Sequence, residues 1–131
     1  LCHQGLGFDK MFDVFHYEET SREEIMRKYF IKPSNVRTAE AGESATLVGY
    51  ENTPMFRLDE LRVSGSRTVP GLPTFSGLYV LEGRGSCAAG GREYRLEKTA
   101  QFFVPAGAGD MTFSAGPGSP LRILRFRGPR A

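Results

Sequence analysis

Phe8, Met11, Phe12 and Phe15 recur at i, i+3, i+4 and i+7, which puts them on one apolar stripe of a helix flanked by Asp9, Lys10 and Asp13. Such a helix needs a surface to cover. A second helix is predicted from Ser21-Arg22-Glu23-Glu24, a capping box in which Ser21 and Glu24 satisfy each other's free backbone amides. Ile25, Met26, Tyr29 and Phe30 form its expected buried side, and Pro33 stops it. From about Ala45 the pattern changes to short β-rich runs punctuated by glycine and proline at the spacing typical of sandwiches and barrels. The predicted strands are Ala45 to Glu51, Met55 to Val63, Gly77 to Leu81, Arg84 to Ala89, Arg92 to Leu96, Gln101 to Val104, Asp110 to Ser114 and Leu121 to Arg127.

Gly90-Gly91, between two of these runs, signals a two-residue hairpin, because glycine reaches the positive φ angles of a type I′ turn. No repeat or low-complexity tract interrupts the pattern, and Thr38 to Ser44 reads as a joint. The expected architecture is mostly β: a jelly-roll β-barrel spanning residues 41–131, preceded by two short N-terminal helices in a helical lead-in spanning residues 1–40.

At 131 residues the chain suits one domain with a genuine core. An apolar fraction of 40% with 24% charged residues is that of a soluble globular protein, and no stretch approaches the ~18 apolar residues of a membrane span. The net charge of +2 arises from 17 basic and 15 acidic residues, without the basic stripe and interleaved aromatics of a nucleic-acid binder. Neither a nucleic acid nor a membrane is an expected partner. Cys2 and Cys87 form no disulfide framework or zinc knuckle, which fits a reducing cytoplasm. The chain opens with Leu-Cys-His-Gln and lacks the charged and apolar regions of a secretory signal, so it is expected to be a piece of a longer cytoplasmic protein.

Tyr79-Val80-Leu81-Glu82-Gly83-Arg84-Gly85, Tyr94-Arg95-Leu96 and Phe102-Phe103-Val104-Pro105-Ala106-Gly107 follow one another in the order of a strand-turn-strand core. Together they resemble the centre of a cupin, with Gly83 at the tight turn and Pro105-Ala106-Gly107 at the bend. Metal-binding cupins place two histidines and a glutamate before that turn and a histidine after that bend. Here the resemblance puts Ser76 at the glutamate position. The paired histidines fall at Pro70 and Leu72, or at Val69 and Gly71, and the last histidine at Asp110. One plausible ligand does not make a site, so no metal is expected on this chain. His3 and His16, the only histidines, sit in the helical lead-in and read as surface or hydrogen-bonded residues.

A wider resemblance rests on Cys2-His3-Gln4-Gly5-Leu6-Gly7-Phe8, the two helices, and the closing Leu121-Arg122-Ile123-Leu124-Arg125-Phe126. The chain is similar to the C-terminal, metal-free cupin part of class I-type mannose-6-phosphate isomerases. That resemblance implies a structural, accessory role beside a catalytic zinc cupin that would carry the aldose-ketose chemistry. This chain alone would be inactive, with no catalytic residue carried over, and zinc would belong to the missing half. The partner would be that catalytic half or a second copy of the chain.

The alternative is a free-standing, metal-free cupin binding a sugar, a sugar phosphate or another small polar molecule. Its ligand cavity would be formed by Phe75, Ser76, Tyr79 and Asp110, aromatics meeting a sugar face and polar groups its hydroxyls. The competing expectation is a mouth filled by side chains. Arg122, Arg125, Arg127 and Arg130 suggest a phosphate site, but strand alternation points Arg122 away from Arg125 and Arg127, and a solvated strand edge is the preferred reading. Glu82 lacks the second carboxylate of an acid-base pair, and Cys87 reads as a small buried residue.

Overall fold

The computed structural model describes residues 4–130; Cys2, His3 and Ala131, which enter the readings above, lie outside the described residues. Two compact units divide between Phe30 and Ile31. In the first, α1 (Phe8–Phe12) is followed by α2 (Arg22–Tyr29). Ser21 caps α2 as expected, its Oγ accepting from the Glu24 amide at 3.2 Å. The Glu24 carboxylate meets Lys28 Nζ at 2.8 Å, one turn along the helix. The Phe8, Phe12 and Phe15 rings are neighbours, with centroids 6.3 and 6.1 Å apart, but α1 ends at Phe12, so the helix expected to run through Phe15 is shorter than predicted. The expectation that Ile25, Met26, Tyr29 and Phe30 are buried is not met, since all four are exposed and no residue of either helix is buried. The two helices are only one to two turns long, and an apolar stripe is an instruction to find cover rather than a guarantee of it.

The second unit holds ten strands: β1 (Ser34–Ala39), β2 (Gly42–Val48), β3 (Arg57–Val63), β4 (Ser66–Val69), β5 (Ser76–Glu82), β6 (Arg84–Ala89), β7 (Arg92–Glu97), β8 (Gln101–Val104), β9 (Met111–Ala115) and β10 (Leu121–Arg127). Eight correspond to the predicted runs, β6, β8 and β10 with the same bounds. β1 and β4 were not legible, and β1 falls among the residues assigned to the helical lead-in. Its pairing with β2, from Ser34↔Thr46 to Ala39↔Gly42, makes Ser34–Ala39 part of the sheet. β1 shows no apolar alternation because it is an edge strand with no side chain in the core.

All pairs are antiparallel, in a six-stranded sheet ordered β1-β2-β3-β10-β5-β8 and a four-stranded sheet ordered β4-β9-β6-β7. The result is a two-sheet jelly roll with free edges at β1, β8, β4 and β7 rather than one continuous ring of strands. Gly90 and Gly91 take φ of 56° and 75° and hold Ala89 opposite Arg92, as the hairpin signal requires. Gly83 has φ 86°, and a Cβ there would lie 2.0 Å from the Pro120 carbonyl oxygen, so the turn that carries the cupin resemblance admits only glycine.

The core joins Leu61, Val63, Leu78, Val80, Val104, Leu121 and Ile123 of the larger sheet to Cys87, Leu96, Met111 and Phe113 of the smaller. Each fully buried large side chain contributes about 1.5–3 kcal/mol. Among the described residues no helix is long and apolar enough to cross a membrane.

Candidate functional site: an arginine-lined cavity between the sheets

Period-2 alternation fixes what faces the interior. Along β10 the inward positions are Leu121, Ile123, Arg125 and Arg127, opposite Val63, Leu61, Asp59 and Arg57 of β3. On the other flank Val80, Leu78 and Ser76 of β5 lie opposite Ile123, Arg125 and Arg127. Both ladders therefore run from an apolar end to a polar one. Thr46, directly opposite Asp59 on β2, continues the polar end, and Arg67 of β4, opposite the buried Phe113, brings a cation from the smaller sheet.

At the polar end lies a cavity of about 410 Å³ lined by Asn35, Ser44, Thr46, Thr68, Asp59 and five arginines, 37, 57, 67, 125 and 127, with several small apolar residues. Asp59 is the single carboxylate in that lining, and it is already occupied. It accepts from Thr46 Oγ1 at 2.9 Å, from Arg57 Nε at 2.9 and 3.1 Å, and from Arg127 Nη2 at 2.9 Å. Arg57 Nη2 also donates to Thr46 Oγ1 at 2.9 Å, closing a small network. Arg67 reaches across the seam between the sheets to donate from Nη2 to Ser44 Oγ at 3.1 Å.

Three guanidinium nitrogens stay buried with no hydrogen-bond partner among the described residues: Arg67 Nη1, Arg125 Nη2 and Arg127 Nε. Arg125 is the extreme case at 3% exposure. Its Nε donates to Ser76 Oγ at 3.4 Å, near the limit for a hydrogen bond. Burial pushes its pKa down, the positive charge of Arg127 adds to that, and Asp59 offsets only part of it. A cavity with surplus positive charge and unpaired donors of this kind is chemically fitted to an oxyanion, since guanidinium donors match carboxylate and phosphate oxygens.

The four cavity residues expected from sequence do not converge. Ser76 is fully buried on the inner face and touches the arginine cluster through Arg125. Phe75 is 52% exposed and stacks on Phe103, centroids 5.9 Å apart. Tyr79 lies between the inward Leu78 and Val80 and so belongs to the outer face of β5. Asp110 is exposed, and its Oδ1 accepts from the Gly71 amide at 3.2 Å.

That last contact joins Asp110, where the cupin resemblance puts the last histidine, to Gly71, one of the paired-histidine positions in the second of the two registers it allows. A Cβ on Gly71 would lie 2.5 Å from the Gly109 carbonyl oxygen, so no imidazole fits there without a backbone shift. Among the described residues no group of three or more His, Cys, Asp or Glu side chains is placed to hold a metal.

The solvated-edge reading of the arginines is corrected as well. β10 is a central strand between β3 and β5, so Arg125 and Arg127 point into the interior. Arg122 turns to the opposite face, as alternation requires, and pairs with Glu60 and with Glu82, the latter at 3.4 Å. For Glu60, burial opposes the charged form, but Arg122 and Arg62 outweigh it and hold the carboxyl below its ordinary range. Arg37, Arg57, Arg67, Asp59 and Thr46 were not singled out in the sequence. The available signal was the pair Arg125 and Arg127 two residues apart, together with Arg57-x-Asp59 on another strand.

No family model matches the chain, and no curated protein matches it in sequence. Among solved structures, the mannose 6-phosphate isomerase of Bacillus subtilis superposes with a TM-score of 0.67 at 17% identity, over 92% of this chain and 33% of that one. This chain therefore spans about a third of the isomerase's length. The polyketide cyclase RemF of Streptomyces resistomycificus gives 0.60 at 23% identity, over 87% and 80% of the two chains. The Cnp3 cupin domain of Schizosaccharomyces pombe gives 0.59 at 16%, over 73% and 69%. At these identities the likeness is one of fold. The jelly roll, its Gly83 turn and its Pro105 bend agree with it, and the chain has the cupin fold.

Proposed function

We propose that this chain is a cupin-fold module that binds a small oxyanion, a carboxylate or a phosphate, in the arginine-lined cavity without using a metal. The observation that supports this most directly is Arg125, almost wholly buried with one guanidinium nitrogen unpaired against the cavity. Burying a cation that Asp59 compensates only in part costs free energy, and a bound anion lowers that cost while completing the hydrogen bonds. The polar lining from Asn35, Ser44, Thr46 and Thr68 suits a ligand whose body carries hydroxyl groups. Titration calorimetry with inorganic phosphate and with succinate tests the reading. Saturable binding that disappears in Arg125→Met is expected, and no saturable heat from either anion refutes it.

A second reading concerns the larger protein. We further propose that the chain is a module of a mannose-6-phosphate isomerase-like sugar-phosphate isomerase of the cytoplasm; what the superposition contributes to this reading is a shared fold over nearly the whole chain and a third of the Bacillus isomerase. Its role there is structural, beside a catalytic half that would carry the zinc. The exposed Phe8, Phe12, Phe15, Tyr29 and Phe30 of the helical unit support a covering role of this kind. Co-elution with a separately prepared catalytic half is the expected result, and independent migration of the two counts against it. A second copy of the chain as the partner would show instead as a concentration-dependent dimer.

A further inference from the structure

At the other seam of the jelly roll, between the free edges of β7 and β8, lies a second cavity of about 450 Å³. Its character is the opposite of the arginine cavity. Leu78, Leu96, Cys87 and Met111 form an apolar floor belonging to the core itself. Tyr94 and Phe102 form its aromatic wall, centroids 6.5 Å apart and inclined at 69°. The Gly90-Gly91 hairpin and the bend at Pro105 border the opening.

One charged residue, Arg92, stands in this lining. It is exposed at the start of β7 and has no ion pair or side-chain hydrogen bond among the described residues. Ala89 is its cross-strand partner and the two glycines carry no side chain; Glu93 and Asp110 share a shallower neighbouring cavity with it, but neither forms an ion pair with it among the described residues. Core side chains that line open space forfeit the dispersion contacts a filled interior would give them. An aromatic body placed there recovers those contacts against Tyr94, Phe102 and the Met111 thioether.

We infer that this seam is a binding site for a small aromatic monocarboxylate, its ring on the Leu96, Tyr94 and Phe102 surface and its carboxylate on Arg92. One cation calls for one negative charge, and the apolar floor calls for a body without hydroxyl groups. A hydroxyl-bearing oxyanion of the kind suited to the arginine cavity does not meet the second condition, so the two sites favour different ligand bodies.

The test uses 1-naphthoate and the uncharged 1-naphthalenemethanol, followed by methyl chemical shifts of Leu96 and Met111 in the intact chain. Naphthoate is expected to shift both methyls saturably. Arg92→Gln, a change at an exposed residue, is expected to weaken naphthoate about tenfold or more, as loss of a charge-assisted hydrogen bond does. The alcohol should bind comparably to wild type and Arg92→Gln, and Arg125→Met should leave naphthoate affinity unchanged. Absence of methyl shifts at millimolar naphthoate overturns the inference, as does naphthoate binding that is indifferent to Arg92→Gln or lost in Arg125→Met. Naphthoate binding lost in Arg125→Met would place the carboxylate in the arginine cavity instead; the other outcomes leave oxyanion binding there untouched, and calorimetry with phosphate reads it separately.

Discussion

Replacing Arg125 by Met should make the ligand-free protein more stable while abolishing anion binding. The structure supplies the terms. The 3.4 Å contact from Nε to Ser76 Oγ is worth at most about 1 kcal/mol. Against it stand an unpaired buried Nη2, costing about 1–3 kcal/mol, and the repulsion of Arg127, which Asp59 relieves only in part. Methionine has a similar reach and fills irregular space, so the change removes the buried charge without opening a large void. The net expectation is a gain of about 1 kcal/mol, or roughly 3–5 °C in the melting temperature of a chain this size. Thermal unfolding followed by circular dichroism in buffer free of phosphate, sulfate and carboxylates measures it. With phosphate at one hundred times its dissociation constant the wild type should gain about 2.7 kcal/mol and the variant nothing, reversing their order. A melting temperature for Arg125→Met more than about 3 °C below wild type in the anion-free buffer refutes the reasoning. It would show that the guanidinium is satisfied without a ligand and serves the fold.

Phe113, at 0% exposure between the sheets, should cost about 3–5 kcal/mol when cut to Ala, read as the change in urea midpoint at constant slope. Glu60 is held below its unfolded-state value, so its contribution is complete above about pH 4.3 and is lost as pH falls through the lower, folded value. The penalty of Glu60→Gln, measured by urea unfolding, should therefore be largest near neutrality and shrink below about pH 4, and a penalty that grows with acid contradicts the ion-pair account. Burial raises the Cys87 thiol above its ordinary value, so maleimide should label it slowly in the native protein at pH 7 and quickly in urea. Rapid native labelling, read on the Cys87 peptide by mass spectrometry, would show that the apolar seam opens more widely than its geometry indicates.

The strand runs read as Met55 to Val63 and Leu121 to Arg127 were legible because they are β-rich and bounded by glycine and proline, and the Gly90-Gly91 and Gly83 turns because only glycine takes their φ angles without strain. Local covalent geometry and period settle such features within a few residues, and they are enough to point to a cupin. β1 and β4 escaped because edge strands are stabilised by ladder hydrogen bonds to distant partners and leave little apolar mark of their own. The burial expected of Ile25 and Met26 failed for a related reason: period says which side of a helix is apolar, never what will cover it.

The site shows the same division. Alternation alone places Arg125 and Arg127 on one side of their strand and Arg122 on the other, and it separates Tyr79 from Ser76. Whether that side faces water or the interior depends on whether Leu121–Arg127 is an edge or a centre strand. That is decided by its pairing with residues some sixty positions earlier on one flank and forty on the other. The convergence of Arg57, Arg67, Arg125 and Arg127 on one cavity depends further on how two sheets stack across a seam. The sequence by itself determined eight of the ten strands, the turns and the cupin outline, because those rest on local stereochemistry. The tertiary structure alone decided that the arginines gather inside, because a cavity is made by chain segments that share no local signal.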